Sequence, residues 1–209
     1  MATSNFVYKA YVGREIPQSQ TDVVCHNQPA LPVNADGSRW RFSVILGRVA
    51  GTPGFQVQHG TLPGIFADTK AMTDAVASAG STCTFTAGSN VVSCTSHGFA
   101  EGQHIAFATS GVLPPEYLPS HLYRVARVID ADSFIAEVVQ QAGYSNNIAS
   151  AVGSGTHKAV AAQEVSITFN PEVVTDVAYL PLKQAIRVVC TTDVAETAQI
   201  LAVYVMNGI

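Results

Sequence analysis

Apolar and polar side chains alternate with a period of two along most of the chain, and helical spacing is scarce. That pattern predicts strands whose two faces meet different surroundings. In Trp40-Arg41-Phe42-Ser43-Val44-Ile45-Leu46-Gly47-Arg48-Val49, the residues Trp40, Phe42, Val44 and Leu46 fall on one face, so the segment reads as a half-buried strand. Gly51-Thr52-Pro53-Gly54 interrupts it and Phe55-Gln56-Val57-Gln58-His59 alternates again, the pattern of a hairpin with a multi-residue turn. A second hairpin is expected near the C-terminus, from residues 185–191 through a turn at 193–197 to 199–205. Residues 166–169 form a shorter strand ending at the turn signal Asn170-Pro171.

The middle of the chain has shorter strands and more punctuation. Residues 82–95 read as a tight hairpin, with Gly88-Ser89 fitting a two-residue type II′ loop. That register sets Ala87 against Asn90, Phe85 against Val92 and Cys83 against Cys94, the last at a hydrogen-bonded site. Strands follow at 104–108, 121–129 and 133–138, with a proline-rich loop at 113–119 and a polar, glycine-rich loop at 143–155. Residues 68–79 read as a short helix or an extended linker, since no apolar stripe runs through them. The expected fold class is all-β: a β-sandwich host domain, jelly-roll or immunoglobulin-like, with an inserted small β-barrel-like module. The host would comprise residues 1–78 and 160–209 and the insert 79–159. Such an insertion costs little where its ends lie close together.

Composition narrows the function. Of 209 residues, 47% are hydrophobic but only 12% charged, about half the usual charged share of ~25%. A surface so poor in charge predicts burial against other chains. The net charge of −4 gives no basic stripe for phosphate contacts, so nucleic acid is not an expected partner. No apolar run is long enough for a membrane span, and Met1-Ala2-Thr3-Ser4-Asn5 lacks the pattern of a signal peptide. The chain is therefore expected to be soluble and to start in a cytoplasm. There the four cysteines, Cys25, Cys83, Cys94 and Cys190, would by default stay as free, buried thiols, with a Cys83–Cys94 disulfide as the alternative that the spacing permits.

Recognisable chemistry is sparse. Gly153-Ser154-Gly155 lacks the spacing of a dinucleotide loop, and no G-x-S-x-G elbow occurs. None of the six histidines forms an HxH or HExxH pair. His97 and His157 sit beside glycines, where an imidazole shapes a turn. Asp130 and Asp132 read as an Asx-type turn, because two carboxylates fall short of the ~6–8 oxygens that calcium takes. No catalytic, cofactor or metal residue is assigned, and an enzyme is not expected. The interface candidates are Leu113, Tyr117 and Leu118, presented on the proline-rich loop or folded back onto their own module. With them stand Phe6, Tyr8 and Tyr11 on an extended N-terminal arm, residues 1–38, that would pair with a neighbour's sheet edge or pack on itself.

One stretch carries a resemblance. The run Asn90-Val91-Val92-Ser93-Cys94-Thr95-Ser96-His97-Gly98-Phe99-Ala100-Glu101-Gly102-Gln103-His104-Ile105 is followed by Gly111-Val112-Leu113-Pro114, by Tyr123 to Phe134, and by Gly153 to His157. In order and spacing it resembles a small β-module widespread in bacteriophage virion proteins. The host halves are similar, more loosely, to phage capsid decoration (cement) proteins. The resemblance implies a structural protein on the capsid surface of a virion, assembled in the bacterial host cytoplasm. Its implied partners are itself, as a trimer or a dimer, and the major capsid protein. A tail, fibre-adaptor or baseplate component is the alternative within that class. An adhesion or carbohydrate-binding module is the alternative outside it.

Overall fold

The structure, a computed structural model, describes residues 7–27, 40–59, 68–139, 145–169 and 186–207. Among them every regular element is a strand, fifteen in all. The chain is all-β and forms two compact units. One draws on Met1–Ile45, Ala50–Val76 and Glu164–Ile209, the other on Leu46–Val49 and Ala77–Gln163.

The first unit contains β1 (Val7–Ile16), β2 (Gln20–Asn27), most of β3 (Trp40–Ala50), β4 (Gly54–His59) and β5 (Asp68–Ala71), then all but the first residue of β13 (Gln163–Phe169), β14 (Ile186–Thr192) and β15 (Thr197–Asn207). Its two sheets run β1-β15-β3-β13 and β2-β14-β4-β5. Numbered one to eight within the unit, the first strand lies beside the eighth, the second beside the seventh, the third beside the sixth and the fourth beside the fifth. That nesting is a long antiparallel hairpin rolled up into two sheets, the jelly roll, and it decides against the immunoglobulin-like alternative. The outermost pair joins the chain's two ends, with Val7 opposite Met206 and Ile16 opposite Ala198.

Four expectations are decided here. β3 and β4 lie in different sheets, as do β14 and β15. Both expected hairpins are therefore arches that carry the chain from one sheet to the other. Strand β3 is not half-buried, because Ser43 and Ile45 are as enclosed as Phe42, Val44 and Leu46. Ser43 is accommodated by hydrogen bonds, accepting from Arg41 Nε and donating to Glu164. Residues 7–27 are no free arm, since β1 and β2 pair with β15 and β14 inside the roll. Residues 68–79 hold β5 and then extended chain, not a helix. Phe6, Pro29, Pro32 and the turn Asn170-Pro171 lie outside the described residues.

The second unit contains β6 (Gly80–Phe85), β7 (Val91–Cys94), β8 (His104–Thr109), β9 (Tyr123–Asp130), β10 (Ser133–Val138), β11 (Ser145–Asn146) and β12 (His157–Ala161). The strand order β10-β7-β6-β12-β8-β9 returns to β10 through the β9–β10 pairing, so the sheet closes into a six-stranded antiparallel barrel. Closure removes the free edges. Alternation is clean in β6, β7 and β10: Cys83, Phe85, Val92, Cys94, Phe134, Ala136 and Val138 point inward and are buried. Phe107 centres the core, with ring centroids 5.4 Å from Phe85, 5.4 Å from Tyr117 and 5.0 Å from Tyr123.

The barrel lies in sequence between β5 and β13 of the roll. Its entry and exit chains meet: Thr73 N donates to Ser166 O at 3.0 Å, and Ser166 N to Thr73 Oγ1 at 2.9 Å. An insert whose ends already touch demands little loop-closure entropy of its host.

Candidate interaction surface

The residues that carry the module resemblance are the barrel's turn builders. His97 is buried, and its Nδ1 accepts from Phe99 N at 2.9 Å. The proton of the neutral ring is therefore on Nε2, which reaches Asp130 O at 3.1 Å. Asp130 accepts from Asp132 N and Ser133 Oγ, each at 2.8 Å, closing the β9–β10 turn. The hydrogen bond from Ser133, first, and that from Asp132 hold the Asp130 carboxyl below its ordinary range. At the opposite motif end, His157 Nδ1 is 2.9 Å from Thr109 Oγ1. Gly153 has φ +74, and a β-carbon there would stand 2.5 Å from the Val112 carbonyl oxygen. These residues do structural work, and no group of three or more His, Cys, Asp or Glu side chains among the described residues could hold a metal ion.

The proline-rich loop folds back onto its own barrel. Leu113 and Tyr117 are 5% and 1% exposed, so neither can anchor a partner from the surface. Tyr117 OH donates to Asn147 O at 2.8 Å. Burial, with the nearby Glu116 adding, pushes its phenol up to about 12. Tyr123 OH accepts from Leu118 N at 2.7 Å and pins the loop's far end. Only Leu118 of the three loop candidates is exposed.

On this loop and on the one that braces it, a different set of apolar residues faces outward. Val112, Ile148 and Val152 are each more than half exposed. They ride on two loops tied together by Asn147 Nδ2 donating to Glu116 O at 2.7 Å, Ser150 N donating to the Glu116 carboxylate at 3.0 Å, and a bridge between Val112 and Ser154. Hydrogen bonding to Ser150 holds the Glu116 carboxyl below its ordinary range. Fixed apolar side chains on cross-braced loops can bind a partner without first losing conformational freedom. Sequence reading missed Val112, Ile148 and Val152. The available signal was a β-branched apolar residue set next to glycine or among polar residues in a loop.

Of the N-terminal candidates, Tyr8 pairs with Val205 through the backbone. Tyr11 lies beside the Lys9 ammonium, 4.7 Å from its ring centroid, with Tyr204 5.0 Å away on the other strand. These tyrosines belong to the first unit and are not part of the barrel loops.

No family model, curated protein or solved structure matches the chain. The jelly-roll assignment rests on the strand order itself.

Proposed function

We propose that this chain is a structural protein of a bacteriophage virion, of the capsid decoration type. Copies of it would associate with one another, as a trimer or a dimer, and bridge neighbouring subunits of the major capsid protein. The observation that carries the reading is the pairing of a jelly roll, an architecture used in viral shells, with an inserted barrel most of whose motif residues serve turns and core. Fold alone does not assign function. The module resemblance and the charge-poor composition supply the rest, and the exposed quartet Val112, Leu118, Ile148 and Val152 supplies a contact surface. The same features suit a tail or baseplate component. For a carbohydrate-binding module, the groove beside β6 offers Phe85, but that ring is buried in the core and presents no face for stacking.

Counting copies in purified particles tests the proposal. A decoration protein is present in the range of the shell's capsomers, and a tail component at only a few copies per particle. Absence from the particle overturns both. For the purified chain, a single species of 22.0 kDa counts against self-association. Leu118→Asp combined with Val152→Asp should abolish shell binding while leaving the strand signal in circular dichroism unchanged.

A further inference from the structure

Cys83 and Cys94 stand opposite one another in the β6–β7 register. Cys94 N donates to Asp132 O at 2.7 Å, so the Cys94 backbone groups are turned toward β10 and away from β6. The Cys83–Cys94 pair is therefore a non-hydrogen-bonded pair, not the hydrogen-bonded one expected from the turn. The difference matters because Cα atoms at such sites are about 4.5 Å apart rather than about 5.5 Å, and the side chains lie closer. Disulfides form at Cα separations of about 4.4–6.8 Å. Both side chains lie on the inner face of the barrel, and both thiols are free.

Access is the second observation. Cys83 lines an open groove of about 470 Å³, beside the chain 152–156 that leads into the His157–Cys83 pairing of β12 with β6. Thr84, Gly153, Ser154 and His157 share its wall, and none of its lining residues is acidic or basic apart from His157. The Cys83 side chain is itself enclosed, 2% exposed, so a small neutral solute in the groove reaches its sulfur when the adjoining chain 152–156 moves aside.

We propose that Cys83 and Cys94 form an oxidation site, converted by a small peroxide into a cross-strand disulfide that locks β6 to β7. The Cys83 thiolate attacks one oxygen of hydrogen peroxide. The O–O bond breaks, hydroxide leaves and takes a proton to become water, and Cys83 becomes a sulfenic acid. Cys94 turns from its 3.7 Å contact with Ser81 O, loses its proton, and attacks the Cys83 sulfur. The S–O bond breaks and a second water departs. Two thiols lose two electrons, one peroxide gains them, and the products are one disulfide and two waters. Burial, with Cys94 adding, pushes the Cys83 thiol up to about 12. The reacting thiolate is therefore scarce near neutrality, and the rate rises about tenfold for each pH unit below that value.

The test exposes the full-length chain to hydrogen peroxide at pH 8 and pH 9, alkylates the remaining thiols in denaturant, and maps the unreduced digest by mass spectrometry. The expected product is a peptide pair joining Cys83 to Cys94, two hydrogens lighter than its parts and separated by dithiothreitol. It should form about ten times faster at pH 9 than at pH 8, and the oxidised chain should melt at a higher temperature. Recovery of both cysteines as alkylated thiols overturns the proposal. So does over-oxidation of Cys83 with Cys94 left free, or a linkage from Cys83 to Cys25 or Cys190, which would mark an unfolded chain.

Discussion

The roll and the barrel are both antiparallel β-structures, yet they assemble from opposite kinds of contact. In the barrel, β6 pairs with β7 and β9 with β10 across short turns. In the roll, β1 pairs with β15 and β2 with β14, joining opposite ends of the chain. Non-local pairing must meet the loop-closure entropy before its contacts form, so the roll is the slower structure to assemble. The barrel's local hairpins can form while the roll still waits for its last two strands.

The sharpest way to break the comparison is to empty one core and ask whether the other notices. Phe107→Ala removes a fully buried ring that touches three other aromatics and should cost about 3–5 kcal/mol. Hydrogen exchange should then accelerate at barrel amides such as Val125 and Ala136, while amides 200–203 of β15 keep their protection. Equal loss in both units would mean one cooperative fold and would erase the distinction. A smaller effect follows from Gly153→Ala. The added methyl meets both a positive φ and the Val112 carbonyl oxygen, and strain of this kind costs about 1–3 kcal/mol. Urea denaturation followed on the barrel should show it, together with loosening of the neighbouring loop that carries Val112.

The comparison also explains what was legible in the sequence. Alternation of side chains located most strands, because a strand with one wet face writes its own period. The barrel register Phe85–Val92 and Cys83–Cys94 was legible too, since sequence neighbours there are sheet neighbours. The turn itself was not. Ser89 N donates to Thr86 O, placing Gly88, φ +79, third in the turn, where the type II′ reading placed it second. The Ala149 carbonyl then accepts from Gly88 N at 2.8 Å and its amide donates to Ser89 O at 2.9 Å, a tertiary contact that no local rule contains. In the roll, the same local logic failed at β3–β4 and β14–β15. A turn followed by a second alternating strand looks alike whether the chain returns in its own sheet or crosses to the facing one. The exposed quartet was hidden for a related reason. The proline-rich loop's apolar residues looked available, but Leu113 and Tyr117 fill the barrel, and only packing reveals which loop residues remain outside.

Glu196 offers a finer test, confined to the roll. Its carboxylate accepts from Thr52 N at 3.2 Å and from Thr52 Oγ1 at 3.3 Å, and its other oxygen accepts from Asp193 N at 2.8 Å. It thereby staples the β3–β4 arch to the β14–β15 arch. Glu196→Ala removes these bonds at a partly exposed site and should cost about 1 kcal/mol, read as a lower urea midpoint for the roll with the barrel unchanged.

The smallest expected effect lies in the barrel and depends on pH. Asp130 is fully exposed, but its hydrogen bonds from Ser133 and Asp132 favour the ionised carboxylate in the folded chain. A carboxyl whose folded value is depressed stabilises the fold fully above its unfolded value and loses that contribution as pH falls through the folded one. The ordinary value is 3.8, so amides of the β9–β10 turn should exchange faster relative to the rest of the barrel as pH drops below it. Asp130→Asn should remove that acid-dependent step and leave the arches of the roll untouched. If the turn loosened at the same pH in both chains, Asp130 would not be the group that holds it.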